Sequence, residues 1–162
     1  MITQTKISPQ TKVSDIVAAQ RRFFNSGVTQ PIAFRIEQLK KLAKAIEDNK
    51  PNIIEALKAD LHKPGFEAYF EMLGVLSEIK YALKNIRAWA KPQKVATPFH
   101  QFPSSAKVYP NPLGVVLIIG PWNYPINLML APLVGAIGWF QRCRRTPTLP
   151  QRPGTTHGGE EQ

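Results

Sequence analysis

Residues 112–125, Pro112-Leu-Gly-Val-Val-Leu-Ile-Ile-Gly-Pro-Trp-Asn-Tyr-Pro125, constrain the fold of this chain more than any other stretch. The apolar run Val115–Ile119, rich in β-branched side chains, predicts a buried strand. A turn of Gly120, Pro121, Trp122, Asn123 and Tyr124 follows at once. Pro125 and the apolar segment Ile126–Ile137, with helical spacing, predict a helix after it. Strand, sharp loop and helix in that order are how an open α/β sheet presents a site at the carboxyl end of a strand.

The same region carries no charge between Lys107 and Arg142, which is longer than the ~20 residues a membrane span needs. Pro112, Pro121, Pro125 and Pro132 interrupt it, and Asn123 and Asn127 lie near its middle. An interior proline costs a helix roughly 3 kcal/mol, and in lipid the freed carbonyls find no water. A membrane-tethered helical protein is therefore the weaker reading, and no membrane span is expected. A formal charge of +10 raises nucleic acid as a partner. The lysines, however, are interleaved with acids along helical segments, the pattern of solvated faces, so no nucleic acid is expected. Cys143 is the only cysteine, and His62, His100 and His157 share no ligand spacing, so neither a disulfide nor a metal site is expected. The first dozen residues lack a secretory pattern, so cytoplasmic localisation is the expectation.

Upstream the pattern is helical. Residues 1–12 read as a flexible arm. Ser14 is a plausible N-cap for a helix that Gly27 ends in a left-handed turn. A second helix is predicted from Ile32 to Asn49 and a third from Pro51 through Leu61. Lys63-Pro-Gly65 is a turn. A long helix from Phe66 to Trp89 follows, with Tyr69, Met72, Leu73, Leu76, Ile79, Leu83, Ile86 and Trp89 on one stripe and Glu67, Glu71 and Glu78 at the surface. Between Val95 and Pro110 short runs broken by prolines predict a β-hairpin, near Val95–Pro98 and Ser105–Tyr109 with Gln101 and Phe102 between.

Two prolines bracket Trp122, Asn123 and Tyr124, which stiffens the backbone that presents them. A carboxamide on a rigid platform can stabilise a developing oxyanion without reorganising. The competing reading is that Asn123 caps the next helix and Trp122 is a core aromatic.

The focal run resembles the aldehyde dehydrogenase superfamily, specifically its class 3-like, fatty-aldehyde branch. Pro31-Ile-Ala-Phe-Arg-Ile-Glu-Gln-Leu39, Ala59-Asp-Leu-His-Lys63 and Ala131-Pro-Leu-Val-Gly-Ala-Ile137 extend the likeness across about residues 13–137. The resemblance implies oxidation of a hydrophobic aldehyde to a carboxylate with NAD or NADP, through a thiohemiacetal on a catalytic cysteine. It implies that Asn123 is the catalytic oxyanion stabiliser. It places Ile119, Gly120, Pro121 and Trp122 beside the nicotinamide half of the cofactor, and Tyr124 in the aldehyde tunnel. It also implies a homodimer in the full-length protein, with the 95–109 strands contributing to association. The implied fold is α/β: an N-terminal helical layer and the first strand–loop–helix of a Rossmann-like dinucleotide-binding domain, as residues 13–137 of a truncated aldehyde dehydrogenase fold.

The chain departs from the family after Ile137. The family continues into a strand ending in a Lys-Pro-Ser-type motif whose lysine contacts the cofactor ribose. Here Gly138-Trp-Phe-Gln-Arg-Cys-Arg-Arg145 stands instead. Cys143 matches neither the catalytic cysteine nor any other family position. Residues 138–162, with Pro147, Pro150, Pro153 and no apolar periodicity, read as a disordered tail of out-of-frame translation. The expectation is thus an inactive fragment of an aldehyde dehydrogenase. The alternative is an interaction module that docks on a full-length paralogue.

Overall fold

A computed structural model describes residues 12–97, 99 and 105–138, and the backbone of 141–148. The expected arm falls almost wholly outside the described residues, as do Gln101, Phe102 and the tail from 149 onward. Four helices come first: α1 (Val13–Asn25), α2 (Ile32–Asp48), α3 (Lys50–Leu61) and α4 (Gly65–Trp89). Strands β1 (Gln93–Val95) and β2 (Ser105–Asn111), helix α5 (Pro125–Gly138) and strand β3 (Gln141–Thr148) follow.

Lys12, not Ser14, occupies the α1 N-cap position, and no side chain caps it. Ser14 lies inside the first turn, where its hydroxyl cannot reach the orphan amides ahead of it. Gly27 takes φ +77 just past α1, as its position predicts. Pro51 stands in the first turn of α3, where no amide donor is missed.

The core is where α2, α4 and α5 meet. Leu39, Ile46, Met72, Val75, Ile79, Ala82, Ile86 and Val134 form one buried cluster. α4 is its axis, touching α2, α3 and α5. Packing on several sides moves its buried stripe from the one its largest side chains predict. Ala68, Glu71, Met72, Val75, Ile79, Ala82 and Ile86 are buried at three- and four-residue intervals, while Tyr69 and Leu73 are exposed. Small residues sit inside because neighbouring helices approach closely there. Glu71, expected at the surface, is among the most buried side chains, at 2% exposure.

A hairpin forms, with its first strand at Gln93–Val95, earlier than the expected Val95–Pro98. β1 and β2 pair antiparallel, with Gln93 opposite Val108 and Val95 opposite Ala106. β2 lends its other edge to β3, with Ser105 opposite Thr148 and Asn111 opposite Gln141, across an irregularity between Val108 and Pro110. Residues 141–148 therefore have a strand backbone where the sequence suggests disorder. The cause is local: an open strand edge offers backbone donors and acceptors to any extended segment, whatever its side-chain pattern.

Residues 112–124 belong to no strand. The expected strand Val115–Ile119 does not form: among the described residues the sheet holds β1, β2 and β3 alone, and the run pairs with none of them. A parallel ladder needs a neighbour delivered by a crossover, and without one the run has no ladder to join. Leu117 and Ile119 are consequently 82% and 83% exposed. Gly114 turns the chain into this run at φ +103, and a Cβ there would meet the Phe24 ring of α1 at 3.6 Å. The run, α1, α2 and α5 enclose an open cleft of about 910 Å³.

Candidate functional site

The site grows from the N-terminus of α5. The backbone oxygen of Tyr124 accepts from the N–H of Leu128 at 2.9 Å, which closes the first helical turn. The amides of Ile126 and Asn127 have no partner in their own helix. Both donate to one carboxylate oxygen of Glu71, at 3.1 and 3.3 Å. The other Glu71 oxygen pairs with the ammonium of Lys63. The Lys63 and Glu71 side chains are 11% and 1% exposed. Lys63 also stands over the Tyr124 ring, 3.9 Å from its centroid. A cation, a carboxylate and a helix N-terminus thus satisfy one another in a buried contact beneath the loop.

Both halves of the competing reading fail here. Asn123 does not cap α5, because Glu71 of α4 does. Trp122 is not a core aromatic, being 78% exposed. Asn123 is exposed, and its carboxamide makes no hydrogen bond among the described residues. Ile119, Pro121 and Trp122 are exposed as well. Gly120 is tucked down on α5, so close that an added Cβ would overlap the Met129 thioether. Tyr124, 46% exposed, borders a cleft of about 260 Å³ with Phe66, Glu67, Phe70, Glu71 and Asn127. The rings of Phe66 and Phe70 lie 4.5 Å apart on its wall.

The far end of α5 is tied down by Arg35, which is 5% exposed. Its Nε donates to the carbonyl of Thr29 at 2.9 Å and its Nη1 to that of Ile137 at 3.4 Å. Burial holds its pKa below the usual arginine value. A cation on the last carbonyls of a helix complements its dipole. α5 is thus gripped by an anion at its start and a cation at its end.

The arrangement is an exposed carboxamide on a stiff loop, backed by a helix held at its start by Glu71 and near its end by Arg35. The aldehyde dehydrogenase family model matches residues 1–138. The chain belongs to the aldehyde dehydrogenase family. It is 42% identical over 128 residues to the dimeric NADP-preferring aldehyde dehydrogenase of Canis lupus familiaris, covering 78% of this chain and 28% of that one. It is 47% identical over 118 residues to the 4,4'-diaponeurosporen-aldehyde dehydrogenase of Staphylococcus aureus, covering 72% of this chain and 26% of the relative. The substrate-bound structure of Staphylococcus aureus AldH superposes with a TM-score of 0.75 at 42% identity, over 79% of this chain and 28% of that chain. The chain therefore spans little more than a quarter of the length of the relatives it matches. The match stops where the sequence changes character, at Gly138.

Enzymes of this family use a nicotinamide cofactor. The described residues fit one end of such a molecule and not the other. Helix N-termini commonly hold a cofactor's phosphates, but at α5 the Glu71 carboxylate already occupies that place. An incoming pyrophosphate would meet an anion instead of free amides. The nicotinamide ring is a cation when oxidised and neutral when reduced, and Ile119, Gly120, Pro121 and Trp122 present no cationic side chain to oppose either form.

Sequence reading missed Glu71 and Lys63. The signal for Glu71 was present: it falls on the buried row with Ala68, Val75 and Ile79, so an acid there has to find partners. Nothing in the sequence marks Lys63 as its partner, because the pair forms only when the α3–α4 turn folds over α4.

Proposed function

We propose that this chain carries the oxyanion-stabilising and nicotinamide-facing part of an enzyme that oxidises a hydrophobic aldehyde to a carboxylate with NAD or NADP. The observation that supports it most is that Asn123 is exposed and makes no hydrogen bond among the described residues, on a loop whose helix is capped by another residue. A carboxamide spared from capping can donate to an aldehyde oxygen as that oxygen takes on charge. One such donor, held rigidly, is worth ~10²–10³ in kcat. Ile119, Gly120, Pro121 and Trp122 would hold the nicotinamide face. The cofactor, when bound, supplies a hydride acceptor. Tyr124 and the aromatic wall of Phe66 and Phe70 suit an apolar substrate; the Staphylococcus aureus relative is named for 4,4'-diaponeurosporen-aldehyde. A cytoplasmic homodimer is the assembly this reading favours, "dimeric" being part of the canine relative's name.

The test is a chimera in which residues 13–137 replace the matching segment of the Staphylococcus aureus enzyme. It should reduce NAD or NADP with a long-chain aldehyde at a rate within about tenfold of the parent, since one decade is only ~1.4 kcal/mol of barrier. A folded chimera without turnover would overturn the proposal.

A second reading is that the chain docks on a longer relative. The exposure of Leu117 and Ile119 along an unpaired run favours it, since such a run can add to a sheet edge. Co-purification with a full-length family member would support it, and a monodisperse monomer in that member's presence would count against it. Among the described residues no helix is long and apolar enough to cross a membrane.

A further inference from the structure

We infer that Lys63 and Glu71 are positioning residues that set the direction of the Asn123 carboxamide. Among the described residues no hydrogen bond holds the Asn123 side chain, so the direction in which it is presented depends on the backbone on either side. That backbone is fastened at three places. Before Asn123, Gly120 lies against Met129. One residue after it, the Tyr124 ring faces the Lys63 ammonium at 3.9 Å. Three and four residues after it, the amides of Ile126 and Asn127 reach Glu71. The last two fastenings share the buried Lys63–Glu71 pair.

Helix capping alone does not explain the pair. A serine, asparagine or aspartate at the N-cap would satisfy the same two amides locally, and Asn123 lies one residue from that place. A buried ion pair is a poor route to stability, because desolvation offsets most of its attraction. What the pair achieves is different. It takes the capping duty away from the loop, so that Asn123 stays unengaged, and it joins the loop to α4 in the core. Oxyanion donors depend on such fixing, since a loose donor reorganises before it can stabilise charge. The purpose of the device rests on the aldehyde dehydrogenase reading of Asn123; its existence does not.

The test is hydrogen exchange and side-chain 15N relaxation on the whole 162-residue chain, which needs no turnover. In Glu71→Ala, exchange at Ile126 and Asn127 should rise roughly ten- to a hundredfold, the equivalent of one or two charge-assisted hydrogen bonds. The Asn123 carboxamide should become more mobile, while the Val75, Ile79 and Ile86 amides of α4 stay within about threefold, as positions outside the lost contact do. Glu71→Gln keeps an acceptor for the two amides and should restore most of their protection. Should Glu71→Ala fail to fold, Lys63→Met with Glu71→Gln gives a neutral pair with that acceptor intact. It should keep Ile126 and Asn127 protected while loosening Tyr124 and Asn123. Unchanged exchange at Ile126 and Asn127, an even rise over all of α4, or an equally rigid Asn123 in every variant would overturn the inference. An intact exchange pattern beside a failed turnover assay of the chimera would sink the functional reading alone.

Discussion

Gly74 of α4 offers a sharp test of how α5 is seated. A Cβ built there would lie 3.4 Å from the Asn127 Nδ2 and 3.7 Å from Cγ and Oδ1. These are contacts with a side chain, not with the backbone of α5. Glycine in a helix interior costs about 0.8–1.0 kcal/mol relative to alanine. A partly buried methyl adds at most a further ~0.8 kcal/mol. Against this, the Asn127 carboxamide has to shift by tenths of an ångström, less than the ~30° rotamer distortion that costs about 0.5–1.5 kcal/mol. Gly74→Ala should therefore stabilise the chain by about 0.5–1 kcal/mol and raise Tm by roughly 1–4 °C at this size. Gly74→Val carries γ-methyls into α5 and should cost about 1–3 kcal/mol through overpacking. Urea and thermal unfolding followed by circular dichroism read both. Loss of more than about 1 kcal/mol in Gly74→Ala, the scale of the gain predicted, would refute the reasoning. So would a harmless Gly74→Val, since α4 and α5 would then not approach as described.

Arg35→Leu should destabilise the chain by about 2 kcal/mol or more in urea unfolding, because two carbonyls lose a charged donor; Arg35→Lys should recover less than half, since an ammonium lacks the fork that reaches both, and full recovery would contradict the geometry. At Glu37, the hydrogen bond from Lys41 and then its charge lower the carboxyl pKa from 4.5. Its contribution is thus present above pH 4.5 and lost as pH falls through the lowered value, so wild type and Glu37→Gln should differ slightly in Tm at neutral pH and converge in acid; a gap that widens in acid would have the wrong sign. Incubated alone with NAD or NADP and a long-chain aldehyde, the 162-residue polypeptide should form no reduced cofactor above a mock preparation, because its only cysteine matches no family nucleophile.

The helical layer was legible because α1 to α4 carry their own periodicity and their own Pro and Gly punctuation. The hairpin was legible in part: its second strand starts at Ser105 as expected but runs through Pro110 to Asn111, and its first lies at Gln93–Val95, ahead of the expected Val95–Pro98. The family was legible in residues 112–125, and the match over 1–138 agrees. Val115–Ile119 shows where local pattern runs out. Its composition states a strand, but a strand exists only beside another, and no described one lies there. β3 is the converse case, since Gln141–Thr148 has no strand pattern and pairs because the β2 edge is open. The charge of Glu71 points to the surface, but its place in the row with Ala68, Val75 and Ile79 decides for burial. The sequence leaves two roles open for Asn123, and the capping of α5 by Glu71 removes one of them.

The most direct measurement is the steady-state kinetics of the chimera with and without Asn123→Ala. If the carboxamide stabilises the oxyanion, kcat should fall ~10²–10³-fold while KM for the aldehyde stays nearly constant. A kcat within about threefold of the parent chimera, less than a tenth of the loss such a donor implies, would contradict the account.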